Sequence, residues 1–293
     1  MGLPVEISNL QLAASGYTVL RSLRFRSSAS AYLNRTFGTP TNNKIFTWSG
    51  WVKRGILGSG LSFPNVFGTA SDEMLFYSAT YPDSFVINLN AAASGSLITT
   101  QVFRDPAAWY HIIVAVDTTQ ATASNRIKIY VNGVQVTSFS VATYPSLNYN
   151  PSFNSAVVHN ICNNTSGRYF DGYLAEVNFI DGQALTPSSF GAYDANGIWQ
   201  PIKYGGTYGT NGFYLPFSNT TSTTTLVQDS SGNGNNWTAN NISLTAGTTY
   251  DSMIDSPTVS ASSSNYAVWN PLFNAANKTI SNGNLSLSIP TTV

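Results

Sequence analysis

Three carboxylates on one strongly strand-like stretch, Asp171, Glu176 and Asp181, are the first residues whose type and order suggest chemistry. Two carboxyl groups facing each other across a glycosidic bond can serve as acid and nucleophile. On a strand, residues at even separation share a face. These three are five apart each time, so neighbours point to opposite faces of a regular strand. Asp171 and Asp181 share parity but stand at opposite ends, too far apart to cooperate. The pattern therefore argues against a hydrolase, and Glu176 reads as a strand residue paired with a backbone amide or an arginine.

Nucleophilic catalysis needs a histidine, and the chain has two. His111 lies inside a strand pattern beside Trp109, and His159 lies near Cys162; both read as packed or interface residues. Cys162 is the only cysteine, which excludes an intrachain disulfide and a cysteine-based metal cluster. The loop Asp229-Ser230-Ser231-Gly232-Asn233-Gly234-Asn235 alternates oxygen donors with glycines, as calcium loops do. It carries one carboxylate and no terminal glutamate, so a tight structural turn competes with a calcium site. Gly205 to Gly212 is not a phosphate cradle, because neither a helix start nor a lysine follows. Its neighbourhood supplies Trp199, Tyr204 and Tyr208, rings that can stack on sugars or cover the edge of a core.

Charge is scarce. Lys, Arg, Asp and Glu make up 9% of the 293 residues, and the net charge is zero. Soluble domains average about 25%. A neutral surface argues against nucleic-acid binding, which needs cations to release counterions. Sixteen Tyr, 16 Phe and 6 Trp argue against disorder. Arg21, Arg24, Arg26, Arg35, Lys44, Lys53 and Arg54 are seven of the 13 basic residues, and Glu6 is the only acid before Asp72. Arg21, Arg24 and Arg26 could dock a basic front end onto an acidic surface; solvated strand residues are an equal reading. The first residues show no basic run followed by a long apolar one, and no stretch approaches 18 apolar residues, so neither export nor membrane insertion is expected.

The elements that must position these residues are short strands with turn signals every 8–12 residues, which mean an antiparallel sandwich. Trp109 to Asp117 and Tyr169 to Ile180 are the strongest strands. Asn132-Gly133 between two alternating apolar runs predicts a type I′ hairpin, because both turn residues need positive φ. Leu185 to Phe190 is the one predicted short helix, with Thr186 as N-cap and Pro187 at N1. Ser256-Pro257 to Ser264 reads as a linker, and Tyr266–Leu272 and Leu285–Ile289 as the first strands of something new.

Trp109-Tyr110-His111-Ile112-Ile113-Val114-Ala115-Val116-Asp117 with Ile127 to Val134 resembles the hairpin of laminin-G-type, concanavalin A-like domains. Phe170-Asp171-Gly172-Tyr173-Leu174-Ala175-Glu176-Val177-Asn178-Phe179 is similar to that family's closing strand. Thr47 to Arg54, Asp181 to Pro187 and Asp229 to Trp237 resemble appendage proteins of marine bacteriophages. The resemblance implies an all-β, concanavalin A-like jelly-roll sandwich over 21–250. It also implies a virion-anchoring segment over 1–20, and a linker with the first strands of a further β-domain over 251–293. It implies a tail fibre or receptor-binding appendage contacting host glycans, with a capsid-attached fibre or decoration protein second and a polysaccharide depolymerase third. Such a protein would be a homo-oligomer, most often a trimer, made in the host cytoplasm and carried on the virion beside other phage proteins. Calcium at a loop rim is the one cofactor it suggests, with Asp117 and Asp171 joining Asp229 as ligands.

Overall fold

The structure is a computed structural model that describes residues 16–270, 278–282 and 284–289. The strands in chain order begin with β1 (Ser22–Phe25), β2 (Tyr32–Thr36), β3 (Ile45–Arg54), β4 (Asn65–Gly68) and β5 (Glu73–Phe76). Next come β6 (Ser84–Leu89), β7 (Gly95–Val102), β8 (Tyr110–Asp117), β9 (Ile127–Val131) and β10 (Val134–Gln135). Then follow β11 (Phe139–Thr143), β12 (Val158–Ile161), β13 (Gly172–Asp181), β14 (Gly191–Tyr193) and β15 (Trp199–Pro201). The last are β16 (Phe213–Leu215), β17 (Thr238–Asn240), β18 (Ser252–Met253), β19 (Thr279–Ser281) and β20 (Ser286–Ser288).

Two antiparallel sheets face each other. The first runs β10-β9-β8-β3-β13-β1-β18, with β16 also on β13; the second runs β11-β7-β6-β5-β4-β12-β2-β17. Alternation explains the layer between them. Leu23, Phe25, Phe46, Trp48, Val52, Ile112, Val114 and Val116 point inward from the first sheet. They meet Leu33, Met74, Phe76, Phe85, Ile87, Leu97 and Ile161 from the second. The Asn132-Gly133 turn between β9 and β10 has φ of 48° and 83°, as the hairpin reading requires.

One irregularity changes the meaning of the carboxylates. In β13 the register to β3 shifts between Ala175 and Asn178, and Glu176 sits in the left-handed region at φ 51°. This is a β-bulge, with an extra residue on one strand. Opposite it lies Gly50, where a Cβ would come within 2.7 Å of the Trp48 ring. Leu174 and Val177, an odd number of residues apart, therefore both reach the inner core.

The predicted helix shrinks to one 3₁₀ turn, Pro187–Ser189, with Pro187 at N1 but no side-chain cap from Thr186. A helical turn the sequence reading lacked, α1 (Thr223–Leu226), is closed by a reciprocal Ser222–Thr225 capping box. Tyr266–Asn270 carries no strand; residues 271 and 272 of that expected strand, and 1–15 of the anchoring segment, lie outside the described residues. The stretch read as a linker, Ser256 to Ser264, lies against the start of the sandwich: Val19 N–H donates to Thr258 Oγ1, and Ser263 Oγ donates to the Val19 carbonyl; just before it β18 pairs β1. β19 and β20 form a hairpin whose turn touches the sandwich, Asn284 Nδ2 donating to the Gly55 carbonyl at 2.7 Å. Among the described residues no helix is long and apolar enough to cross a membrane.

The outer faces of the two sheets differ. On the first, Ile113, Ala115, Tyr130, Ile180 and Tyr214 of β16 are covered by Phe190 and Tyr208, and Trp51, Trp109 and Tyr173 pack with Val19. On the second, among the described residues, the apolar neighbours of Leu75, Val86 and Ile98 are the partly buried Phe63, Tyr77, Tyr81 and Val141.

Candidate functional site

That second outer face forms a groove of about 520 Å³. The same alternation that sends Met74, Phe76, Ile87 and Leu97 inward sends Glu73, Leu75, Asn88, Ser96 and Ile98 into its floor. Three half-buried rings line it. Tyr77 meets Phe63 edge-on at 5.1 Å between centroids, and Tyr81 meets Tyr77 at 5.7 Å. Polar groups stand beside them. Arg168 Nη1 donates to both Glu73 oxygens, at 2.7 and 2.9 Å, while its guanidinium lies 5.0 Å from the Phe63 centroid. Ser96 Oγ donates to Asn88 Oδ1 at 2.8 Å. At the rim, Asn90, Ala91 and Ala92 all hold left-handed φ, 51°, 50° and 73°. Such backbone costs energy in non-glycine residues and clusters at ligand clamps. Here Ala91 N–H donates to Ser71 O and Asn90 N–H to Asp72 Oδ1. Rings beside fixed donors and acceptors, in an open channel, suit a flat ligand with one apolar face and hydroxyl edges.

The rings singled out from sequence lie elsewhere. Tyr208 is not a loop platform: it is buried at 9% exposure and its hydroxyl donates to Asn178 Oδ1. Tyr204 packs edge-on against Tyr208 and stacks with Phe190. Trp199 is half-buried, and its indole N–H donates to His111 Nδ1 at 2.8 Å. His111 stacks flat on Trp51, 4.8 Å apart, and burial pushes its pKa down to about 3. Because Nδ1 accepts, the proton sits on Nε2, facing Ser49 Oγ at 2.9 Å. An imidazole in that tautomer cannot take the Ser49 proton. Gly191 is what lets the Trp199 ring in: a Cβ there would come within 2.3 Å of it. Gly191→Ala is expected to lower unfolding free energy by about 1–3 kcal/mol, read by urea titration, and to leave any ligand affinity of the open groove unchanged.

The carboxylates are each spent separately. Asp171 Oδ2 accepts from Ser27 N–H and Oγ–H, both at 3.0 Å. Asp181 holds loop amides, and Asp117 accepts from Thr119 and Gln120 on its own turn. Asp229 accepts from Tyr214 N–H, Ser231 N–H and Oγ–H, and Asn235 N–H, so its loop is closed by its own backbone. Among the described residues no three His, Cys, Asp or Glu side chains gather where they could hold a metal ion. Glu176 does not pair with an amide or an arginine. Its oxygens accept from the Tyr17 hydroxyl at 2.7 Å and the Tyr214 hydroxyl at 2.9 Å. Burial pushes its carboxyl up to about 7, against the pull of those hydroxyls.

The basic front end also turns inward. Arg24 is 1% exposed, pairs with Asp251 at 3.2 Å, and donates to the Thr248 and Tyr250 carbonyls. Arg26 shares the same carboxylate at 2.7 Å, and Arg21 reaches the Ser252 carbonyl at 3.4 Å. A buried arginine with every direction filled cannot dock another protein, which removes Arg24 from that role. Sequence reasoning missed the open groove, although the alternating Glu73-Met74-Leu75-Phe76-Tyr77 stretch carried its signal.

Two facing antiparallel sheets, one roofed and one open, define a lectin-like jelly-roll sandwich. The chain belongs to the concanavalin A-like lectin/glucanases superfamily, whose family model matches residues 26–190. Among solved structures it is similar to a candidate carbohydrate binding protein from Bacteroides ovatus, at 16% identity and a TM-score of 0.51. That likeness covers 76% of this chain and 59% of the Bacteroides protein, so the chain spans less than two thirds of that protein's length. A weaker likeness is to a heptameric SAP-like pentraxin from Limulus polyphemus, at 14% identity and a TM-score of 0.41, covering 58% and 80% of the two chains. Another is to domain 4 of the arabinanase AbnA from Geobacillus stearothermophilus, at 19% identity and 0.36, covering 50% and 64%. These two are too remote to argue from. No curated protein matches the sequence.

Proposed function

We propose that the chain is a non-catalytic, glycan-contacting surface protein of a tailed bacteriophage, with the open groove as its binding site. The groove carries the glycan half of this reading. Tyr77, Tyr81 and Phe63 offer ring faces, Asn88 and Ser96 offer hydrogen bonds, and Glu73 and Arg168 neutralise each other. A compensated pair suits a neutral sugar better than a strongly charged one. The virion half is supported by the Thr47–Arg54 and Asp181–Pro187 stretches that resemble phage appendages, and by a surface almost without ions. In this reading the protein is a tail fibre or receptor-binding appendage, assembled as a homo-oligomer, with a capsid-attached fibre as the alternative position.

The test is a glycan array with the whole chain, followed by titration of the best ligand. Tyr81→Ala is expected to weaken binding roughly 30-fold, the loss of one aromatic anchor worth about 2 kcal/mol. Binding that survives both Tyr77→Ala and Tyr81→Ala would remove the groove from this role. Release of reducing ends from host polysaccharide would overturn the non-catalytic reading.

A further inference from the structure

The roofed sheet holds an arrangement that glycan contact does not use. Lys53, near the end of β3, is fully buried. Its Nζ donates to Asp255 Oδ2 at 2.7 Å, to Asn265 Oδ1 at 2.8 Å and to the Tyr266 carbonyl at 2.9 Å. Asp255 is fully buried too, and Trp109 Nε1–H donates to its other oxygen at 3.0 Å. The amine therefore sits against a carboxamide carbonyl with a carboxyl group beside it, held in place by an indole. Burial pushes the Lys53 amine down and the Asp255 carboxyl up, and each group's charge opposes that drift in the other. Desolvation of this kind is what makes a lysine a nucleophile. Asn265 stands at the solvent edge, its Nδ2 donating to the Ala107 carbonyl at 2.9 Å, so a leaving group there has a way out.

We propose that Lys53 and Asn265 join in an intramolecular amide bond, with Asp255 carrying the proton. The lone pair of neutral Nζ attacks Asn265 Cγ, and the carbonyl electrons move onto Oδ1. Asp255 takes a proton from Nζ and returns one to the amide nitrogen. The Cγ–Nδ2 bond then breaks and ammonia leaves. One N–C bond forms and one breaks, no electrons are exchanged with an outside partner, and the chain becomes lighter by one ammonia. Holding the two groups in contact supplies the effective concentration that an amide exchange otherwise lacks. The bond would tie the middle of the first sheet to the segment that leaves the sandwich after β18.

Intact mass spectrometry of the purified, folded full chain tests this. The expected mass falls short of the sequence mass by one ammonia, and protease digestion yields a branched peptide joining Lys53 to Asn265. Lys53→Arg, Asn265→Ala and Asp255→Ala each restore the full mass, and the unbranched chains migrate more slowly on a denaturing gel. Asn265→Ala keeps the Lys53–Asp255 pair, so a full mass with an unchanged circular dichroism spectrum separates lost chemistry from lost fold. A wild-type chain of full mass with no branched peptide, after days folded at neutral pH, would overturn the proposal. So would an ammonia loss that persists in Lys53→Arg, which would place the reaction at some other asparagine.

Discussion

Asp181→Ala is expected to destabilise the sandwich by about 3–5 kcal/mol, one of the largest single effects available in this chain. Asp181 ends β13 and is 2% exposed. Its two oxygens accept from Thr41 N–H at 2.6 Å, Asn42 N–H at 3.2 Å, Asn154 Nδ2 at 2.7 Å and Asn211 N–H at 3.0 Å. Three separate loops are thus tied to one carboxylate, and alanine would strand all four donors at once. An unsatisfied buried donor costs about 1–3 kcal/mol, more than the net worth of the bond it lost. Asp181→Asn keeps one acceptor oxygen and the shape, so it should lose about half as much. Chemical denaturation of the two variants beside wild type reads the difference. Equal stabilities would show that water enters and takes over the donors.

The second large effect is a dependence of stability on pH carried by Glu176. Burial raises its folded pKa from the ordinary 4.5 to about 7. The folded state therefore holds a proton that the unfolded chain has already released between those values. Stability from this group is fully present below the unfolded pKa and is lost as pH rises through about 7. The loss amounts to roughly 3 kcal/mol at most, by the rule that each pKa unit is about 1.4 kcal/mol. Most carboxylates act in the opposite direction, so the sign is diagnostic. Denaturation midpoints measured from pH 4 to pH 8 should fall for wild type and stay flatter for Glu176→Gln. The neutral amide can still accept from the Tyr17 and Tyr214 hydroxyls, so the variant should overtake wild type at the alkaline end. Parallel curves would mean that the carboxylate is already reached by solvent.

Glu176 also shows where reading the sequence stops. The long strand from Gly172 to Asp181 was legible in its β-branched and aromatic residues, as was the Asn132-Gly133 hairpin in its turn chemistry. The bulge was not, because parity counting assumes a regular backbone and the extra residue shows only in the pairing of β13 with β3, opposite Gly50. Arg24 misled for a similar reason. A strand flanked by arginines looks solvated until Asp251, 227 residues later, is folded against it. Lys53 was one of seven basic residues grouped by charge alone, Asp255 and Asn265 flank the stretch read as a linker, and only the fold brings the three together. The groove was hidden more completely. Phe63, the Tyr77–Tyr81 loop and Arg168 are far apart in sequence, and what unites them is an outer sheet face that no other described residues roof. Trp199 and Tyr208 drew attention because glycine-rich loops usually present their rings, whereas here those rings are the roof of the other sheet.

The claim that the open groove is the ligand site is tested most directly by a crystal structure of the chain with an oligosaccharide that it binds on the array. The expected density is a sugar ring lying against Tyr77 and Tyr81, with hydroxyls within hydrogen-bonding distance of Asn88, Ser96 or the Glu73–Arg168 pair. A sugar seated instead beside Trp199 and Tyr204, with the groove empty, would contradict it.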